Sequence, residues 1–273
     1  MPRRLLFAFP LALAIFAAAA DPVPSLWDPG LHLDKPDLSG LKAIRFLTAD
    51  DYPPLDFTGG DGSLVGFNVE IARAICAELR LPCTIQPWRW DLLVDALEQA
   101  KGDAMIASMR ATPALRERLD FTAPYYLTPA RFAARKDYPA GEVDPAAVTG
   151  KTVGVVKASA HAAYLARLFP EAKTRAYDDF AALHRGLKAG EVDLAFGDGL
   201  TFAVWLGGED AGDCCGFRGG PFLDGGLFGE GVGIAVRRDD LGLRRALDYA
   251  LARVAAKGQY AEIFRKYFPL SFY

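Results

Sequence analysis

The sequence has only four cysteines, three histidines and three methionines in 273 residues. The histidines (His32, His161, His184) lie far apart, with no H-x-x-H or C-x-x-C partner, which leaves none of the usual zinc spacings. G-x-S-x-G, Walker and G-x-G-x-x-G signatures are all missing. The single S-x-x-K match, "SGLK" at 39–42, runs into a strand and has no K-T-G after it. Basic excess is missing too: 31 Lys and Arg against 34 Asp and Glu give a net charge of −3, the wrong sign for a nucleic-acid partner. No stretch reaches the ~18 uninterrupted apolar residues of a membrane span. These absences point to recognition without catalysis: not an enzyme, with no metal and no cofactor.

What is present starts with a leader. "MPRRLLFAFPLALAIFAAAADPVP" has two arginines, an apolar run from Leu5 to Phe16 and a small-residue Ala18-x-Ala20, the pattern of a signal peptide over residues 1–20. Residues 21–42 read as an irregular leader rich in Pro, Gly and Asp. The rest is 51% hydrophobic over the whole chain, enough for one large or two medium domains.

In an exported chain cysteines suggest disulfides. Cys76 and Cys83 in "ICAELRLPCTI" straddle a helix end, a Leu-Pro turn and a strand start, which brings the two Cα atoms close. Closing that loop stabilises by roughly 2–3 kcal/mol; two buried thiols are the alternative. Cys214 and Cys215 are adjacent in "AGDCCGFRGG" and their state stays open.

Strands and helices alternate. "AIRFLT" (43–48) reads as a strand and "FNVEIARAICAEL" as a helix with Phe67, Ile71, Ile75 and Leu79 on one face. "CTIQPW", helix "WDLLVDALEQAK" and strand "DAMIA" follow, then a second start at "GKTVGVVKAS" (150–159) with helix "AHAAYLARLF". Such alternation predicts parallel βαβ units. "LVDALEQAKGDAMIAS" (93–108) and "LHRGLKAGEVDLAFGD" (183–198) form a weak repeat ending at Ser108 and Asp198, each just past a strand, where open α/β sheets bind ligands. The stretch "ASMRATPALRERLDFTAPYY" (107–126) carries three arginines, and its Thr112-Pro113 reads as a helix start whose free N–H groups, with Ser108 and Arg110 upstream, would seat a carboxylate. Asp198 would take an ammonium, so the pair fits a zwitterion. Tyr52 and Trp90 offer rings to stack on a side chain or cation.

From about residue 43 to 268 the chain resembles the bacterial extracellular solute-binding proteins of family 3. The matching segments are "DDYPPLDF…GSLVGFNVEIARAIC", "WDLLVDALEQAKGDAMIASMRATP", "LDFTAPYY", "GKTVGVV", "LKAGEVDLAFGD" and the run from "GVGIAVRR" to "FRKYF". The resemblance implies a type II periplasmic-binding α/β fold of two lobes, each a mostly parallel sheet flanked by helices, joined by two hinge strands. The first lobe would be 43–127 plus 229–273 and the second 130–226. It implies a periplasmic monomer that captures an amino acid or similar small molecule and delivers it to an inner-membrane ABC permease. Carried over by position, the ligand contacts are Tyr52, Trp90, Ala107, Ser108, Ser159 and Asp198, and the Cys76–Cys83 spacing resembles the disulfide of the histidine-binding members.

One departure matters. The family's carboxylate-binding arginine position holds Leu115 here, and a position that is usually small holds Arg110. Either Arg110 takes over the guanidinium's task or the ligand lacks an α-carboxylate; Arg116, one residue further along, points about 100° away on a helix. "KASAH" places Lys157 and His161 near the cleft. Also open are an accessory or sensory protein for another ligand and a cyclohexadienyl-dehydratase-like enzyme using Asp198 or Glu230.

Overall fold

The computed structural model describes Val23, Leu26, Trp27 and residues 33–139, 141–268 and 270–273. The expected signal peptide and His32 lie outside the described residues.

The first lobe opens with β1 (Ile44–Thr48), four of whose five residues are buried. A small meander of β2 (Asp51–Tyr52), β3 (Asp56–Thr58) and β4 (Leu64–Val65) follows and carries Tyr52. It leads into α1 (Phe67–Leu79), whose expected face of Phe67, Ile71, Ile75 and Leu79 is buried. Gly66 precedes that helix at φ 132°, and a Cβ there would stand 2.3 Å from the Leu55 carbonyl oxygen, so no larger residue fits. The helix stops at left-handed Arg80, and a Cys76–Cys83 disulfide with Cα atoms 6.1 Å apart ties its end to β5 (Cys83–Pro87). Where a helix is expected over 90–101, a 3₁₀ turn (Trp90–Leu92) precedes a short α2 (Leu93–Glu98), and Ala100 turns left-handed at φ 56°. β6 (Ala104–Met105), α3 (Pro113–Arg116) and β7 (Leu119–Phe121) complete this run.

The second lobe holds β8 (Ala130–Arg135), β9 (Thr152–Val156), α4 (Ala160–Leu168), β10 (Lys173–Tyr177), α5 (Phe180–Lys188), β11 (Leu194–Asp198), α6 (Gly199–Gly207), β12 (Cys215–Phe222) and α7 (Gly225–Phe228). The chain then returns to the first sheet as β13 (Ala235–Arg237) and ends with α8 (Leu241–Ala256) and α9 (Gln259–Tyr267), which pack on α1. The sheet orders are β5-β1-β6-β13-β7 and β10-β9-β11-β8-β12. In each, four strands run the same way and only the fourth in the order, β13 or β8, runs antiparallel to both its neighbours. β6 and β11 take the same place in their sheets, so the repeat read from 93–108 and 183–198 is a repeat of topology. Cys214 and Cys215 are bonded to each other.

Two segments cross between the sheets, one after β7 and one before β13, and they pair at Val232. Its N–H donates to the Tyr126 carbonyl at 2.9 Å, and its carbonyl accepts from Tyr125 N–H at 2.8 Å. Gly231 beside it has φ 102°, and a Cβ there would lie 2.5 Å from Leu127 Cδ2. The Tyr273 hydroxyl clamps the other crossing, donating to Leu127 O at 2.7 Å and accepting from Leu127 N–H at 3.0 Å. No helix among the described residues is long and apolar enough to cross a membrane.

Candidate functional site

On the first lobe, β2 and the 3₁₀ turn present Tyr52 and Trp90, 48% and 46% exposed, a large fraction for such rings. With Ser108 and Arg110 they line a cavity of about 860 Å³, which Asp51 and Leu115 also border. Ala107 is buried behind it. Ser108 follows β6 in the left-handed region, φ 61°, a conformation that costs a non-glycine residue about 1–3 kcal/mol unless its surroundings over-determine it.

On the second lobe, Asp198 ends β11 and caps α6, its Oδ1 accepting from Thr201 N–H at 2.8 Å and Thr201 Oγ1–H at 3.0 Å. That leaves Oδ2 for a ligand. Where the lobes meet, a cavity of about 220 Å³ is lined by Tyr52, Ser108, Arg110 and Asp198, joined by Tyr126 and His161. The structure thus brings together four of the seven expected contacts, with Trp90 in the adjoining cavity. Ser159 and Ala107 line neither of these two. The Ser159 hydroxyl accepts from Ala162 N–H at 3.0 Å and donates to Val156 O at 2.7 Å, so helix capping occupies it. Lys157 turns away to pair with Asp178 at 2.6 Å, whereas His161 does face the cleft.

The three arginines of the 107–126 stretch separate cleanly. Arg116 pairs with Glu230 at 3.0 Å and Arg118 with Asp95 at 2.7 Å and with Glu98. The third, Arg110, points into the cleft, with Nη2 3.9 Å from Asp198 Oδ2 and 3.4 Å from Thr128 Oγ1. At 3.9 Å the first contact is an ion pair without a hydrogen bond. Thr112 does cap α3, accepting from Leu115 N–H at 3.3 Å, but the helix is a single turn, too short for aligned peptide dipoles to build an anion seat. Guanidinium charge, not a helix end, is what this wall offers an anion.

Burial dominates the titration of the other cleft groups. It pushes the Tyr126 phenol up and raises Tyr52, helped by the carboxylates of Asp198 and Asp56. Burial also lowers His161, against the pull of Asp198, so the imidazole is neutral at pH 7 and stacks on Phe228 at 5.0 Å.

Residues 44–270 match the sequence model of the bacterial extracellular solute-binding proteins, family 3. The chain belongs to that family. Among its relatives are the L-arginine-binding protein of Pseudomonas aeruginosa, 35% identical over 96% of this chain and 98% of that one, and ABC transporter arginine-binding protein 1 of Escherichia coli K12, 33% identical over 85% and 93%. Among solved structures, the unliganded, open L-cystine solute receptor of Neisseria gonorrhoeae matches with a TM-score of 0.74 at 18% identity over 83% of this chain and 92% of that one. A Salmonella typhimurium periplasmic binding protein solved for its high arginine specificity gives 0.52 at 30% identity over 83% and 99%. Both share the two-lobed type II fold of this family 3 protein.

Tyr126, Thr128, Phe180 and Thr201 also line the inter-lobe cavity and escaped sequence reasoning. Thr201 had a signal, three residues after Asp198 at a helix start. Tyr126 and Thr128 lie on the crossing segment, and nothing in their local pattern shows which way they face.

Proposed function

We propose that this chain is a periplasmic binding protein for an α-amino acid with a cationic side chain, serving an ABC uptake system by recognition and hinge closure without chemistry. The observation that carries the reading is the facing of Arg110 and Asp198 across the inter-lobe cavity. Each hydrogen bond to a ligand needs about 2.8 Å, so a zwitterion cannot bridge the two groups while they stand 3.9 Å apart. Binding therefore separates them: the α-ammonium takes Asp198 Oδ2 and the α-carboxylate takes the freed Arg110, with Leu115 standing where the family's arginine would be. The side chain then extends along Tyr52 and Trp90, whose ring faces attract a cation, toward the exposed carboxylate of Asp51.

The names of the arginine-binding relatives support the same class. In this reading residues 1–20 are a cleaved signal peptide, 43–127 with 229–273 form one lobe and 130–226 the other. The protein works as a monomer that docks on an inner-membrane permease. A thermal-shift screen of ligand-stripped protein tests it. Ligand at about 100 times its dissociation constant stabilises by ~2.7 kcal/mol, a rise of several degrees in the melting midpoint. Shifts with L-arginine, L-lysine, L-ornithine or L-histidine are expected; shifts with dicarboxylates or amines alone would overturn the proposal.

A further inference from the structure

Behind Ser108 lies a buried polar chain that touches no part of the cleft except through that serine. Asn68, the second residue of α1, is fully buried. Its Nδ2 donates to Asp56 Oδ2 and, at 2.8 Å, to Ser108 Oγ, while its Oδ1 accepts from the Tyr125 hydroxyl at 2.6 Å. An ionised carboxylate can only accept, so Asp56 dictates which end of the carboxamide faces it and therefore that position 68 donates to Ser108. A serine hydroxyl that accepts there keeps its own proton for another partner. Its other neighbours are the Tyr125 and Tyr126 hydroxyls and the cavity it shares with Arg110 and Asp198, and Tyr125 already spends its own proton on Asn68.

We infer that Asn68 is a positioning residue for ligand capture, holding Ser108 in its left-handed conformation with the hydroxyl proton turned outward as a donor to the ligand carboxylate. The inference rests on the amino-acid reading above. It also gives the missing family arginine a second compensation beside Arg110: a neutral donor aimed at the same anion. The arrangement needs all three side chains, since a position 68 acceptor would draw the Ser108 proton inward, and loss of Asp56 would free the carboxamide to rotate. Hydrogen bonds in such a chain polarise one another, and the second Asp56 oxygen, Oδ1, is buried without a partner, so the carboxylate depends on Asn68.

The test is a calorimetric titration of L-arginine, L-lysine and L-histidine into the wild type, the swapped variant Asp56→Asn/Asn68→Asp, Ser108→Ala, and the three changes combined. The swap conserves volume, charge and one amide–carboxylate hydrogen bond, and it still offers Tyr125 an acceptor. It reverses only the direction of the bond to Ser108. The swap is expected to weaken the amino acid that the wild type takes up by about tenfold, the worth of one hydrogen bond. Ser108→Ala is expected to do the same, and the combination no more than Ser108→Ala alone, because both act through one hydroxyl. Asn68→Ala in the same cycle reads the coupling if the swap lowers the melting temperature. Unchanged affinity in the swap, or losses that add, overturn the inference and leave the binding reading standing. A wild type that binds none of the three overturns that reading and the inference with it.

Discussion

On the second lobe the cleft carboxylate is fixed by a neighbour three residues away, Asp198 by Thr201, as Ser159 just outside the cavity is by Ala162. On the first lobe Ser108 is fixed by Asn68, 40 residues distant in sequence, which is itself held by Asp56 at a separation of 12 and Tyr125 at 57. A capped helix end survives most changes elsewhere, because its partners come with it. A side-chain network fails as a unit, because each member satisfies the next. The second lobe therefore presents a rigid carboxylate, and the first presents donors whose directions depend on buried residues that no ligand touches.

The largest effect expected from breaking this asymmetry is at Asp198. Asp198→Asn keeps a cap for α6, since asparagine caps as well as aspartate, but removes the charge proposed to receive the ammonium. Amino-acid affinity should fall by about 3 kcal/mol or more, with the far-ultraviolet circular dichroism unchanged. Arg110→Ala should cost about 2 kcal/mol by calorimetry. Arg116→Ala, which breaks only an exposed pair with Glu230, should leave affinity unchanged.

The lobes also differ in what they bury. In the first, burial against weaker help from Asn68 and Thr48 raises Asp56 from 3.8 to about 6. In the second, burial lowers His184 from 6.5 to about 4, with Nε2 unpartnered and the ring stacked on Trp205 at 4.3 Å. Their pH signs are opposite. The folded state holds the Asp56 proton more tightly than the unfolded chain, so falling pH stabilises through Asp56 from about pH 6 down to about pH 4. The unfolded chain protonates His184 first, so falling pH destabilises through it from about 6.5 to about 4. Each contribution reaches about 3 kcal/mol. Against wild type, Asp56→Asn should gain stability most at pH 7 and lose that gain by pH 4, while His184→Phe should gain most near pH 4. Melting curves over that range for both variants check the two signs.

Disulfides give the smallest contrast. Replacing Cys76 and Cys83 by alanine should cost the first lobe about 2–3 kcal/mol, since the bond closes a loop in the unfolded chain. Replacing Cys214 and Cys215 should cost under about 1 kcal/mol, because neighbours are already close when unfolded. Denaturant midpoints of the two double variants measure both.

The same asymmetry explains what could be read from the sequence. α1, α4, α8 and α9 were legible as helices and so was the cap at Thr112, whereas Ser159 and Asp198 were read only as ligand contacts, their capping bonds to Ala162 and Thr201 passed over. The parallel βαβ order and the paired positions of Ser108 and Asp198 followed from the repeat. β10 escaped because Lys173–Ala176 are all exposed, leaving no alternation to see. The place of Lys157 escaped because Asp178 drew it from the cleft, and the Asn68 network escaped because its contacts are made only when α1, β3 and the segment after β7 come together. Arg110 was legible as unusual, and a seat around it facing Asp198 was expected across the cleft. That the two pair with each other at 3.9 Å was not.

The central claim is that Arg110 and Asp198 part to grip the two ends of a zwitterion. Calorimetric titration of ligand-stripped protein with L-arginine and with agmatine, the same molecule without its carboxylate, tests it most directly. The account predicts that L-arginine binds about a hundredfold or more tighter, the worth of a charge-assisted pair on Arg110, and that Arg110→Ala erases most of the difference. Equal affinities for the two in the wild type would contradict it.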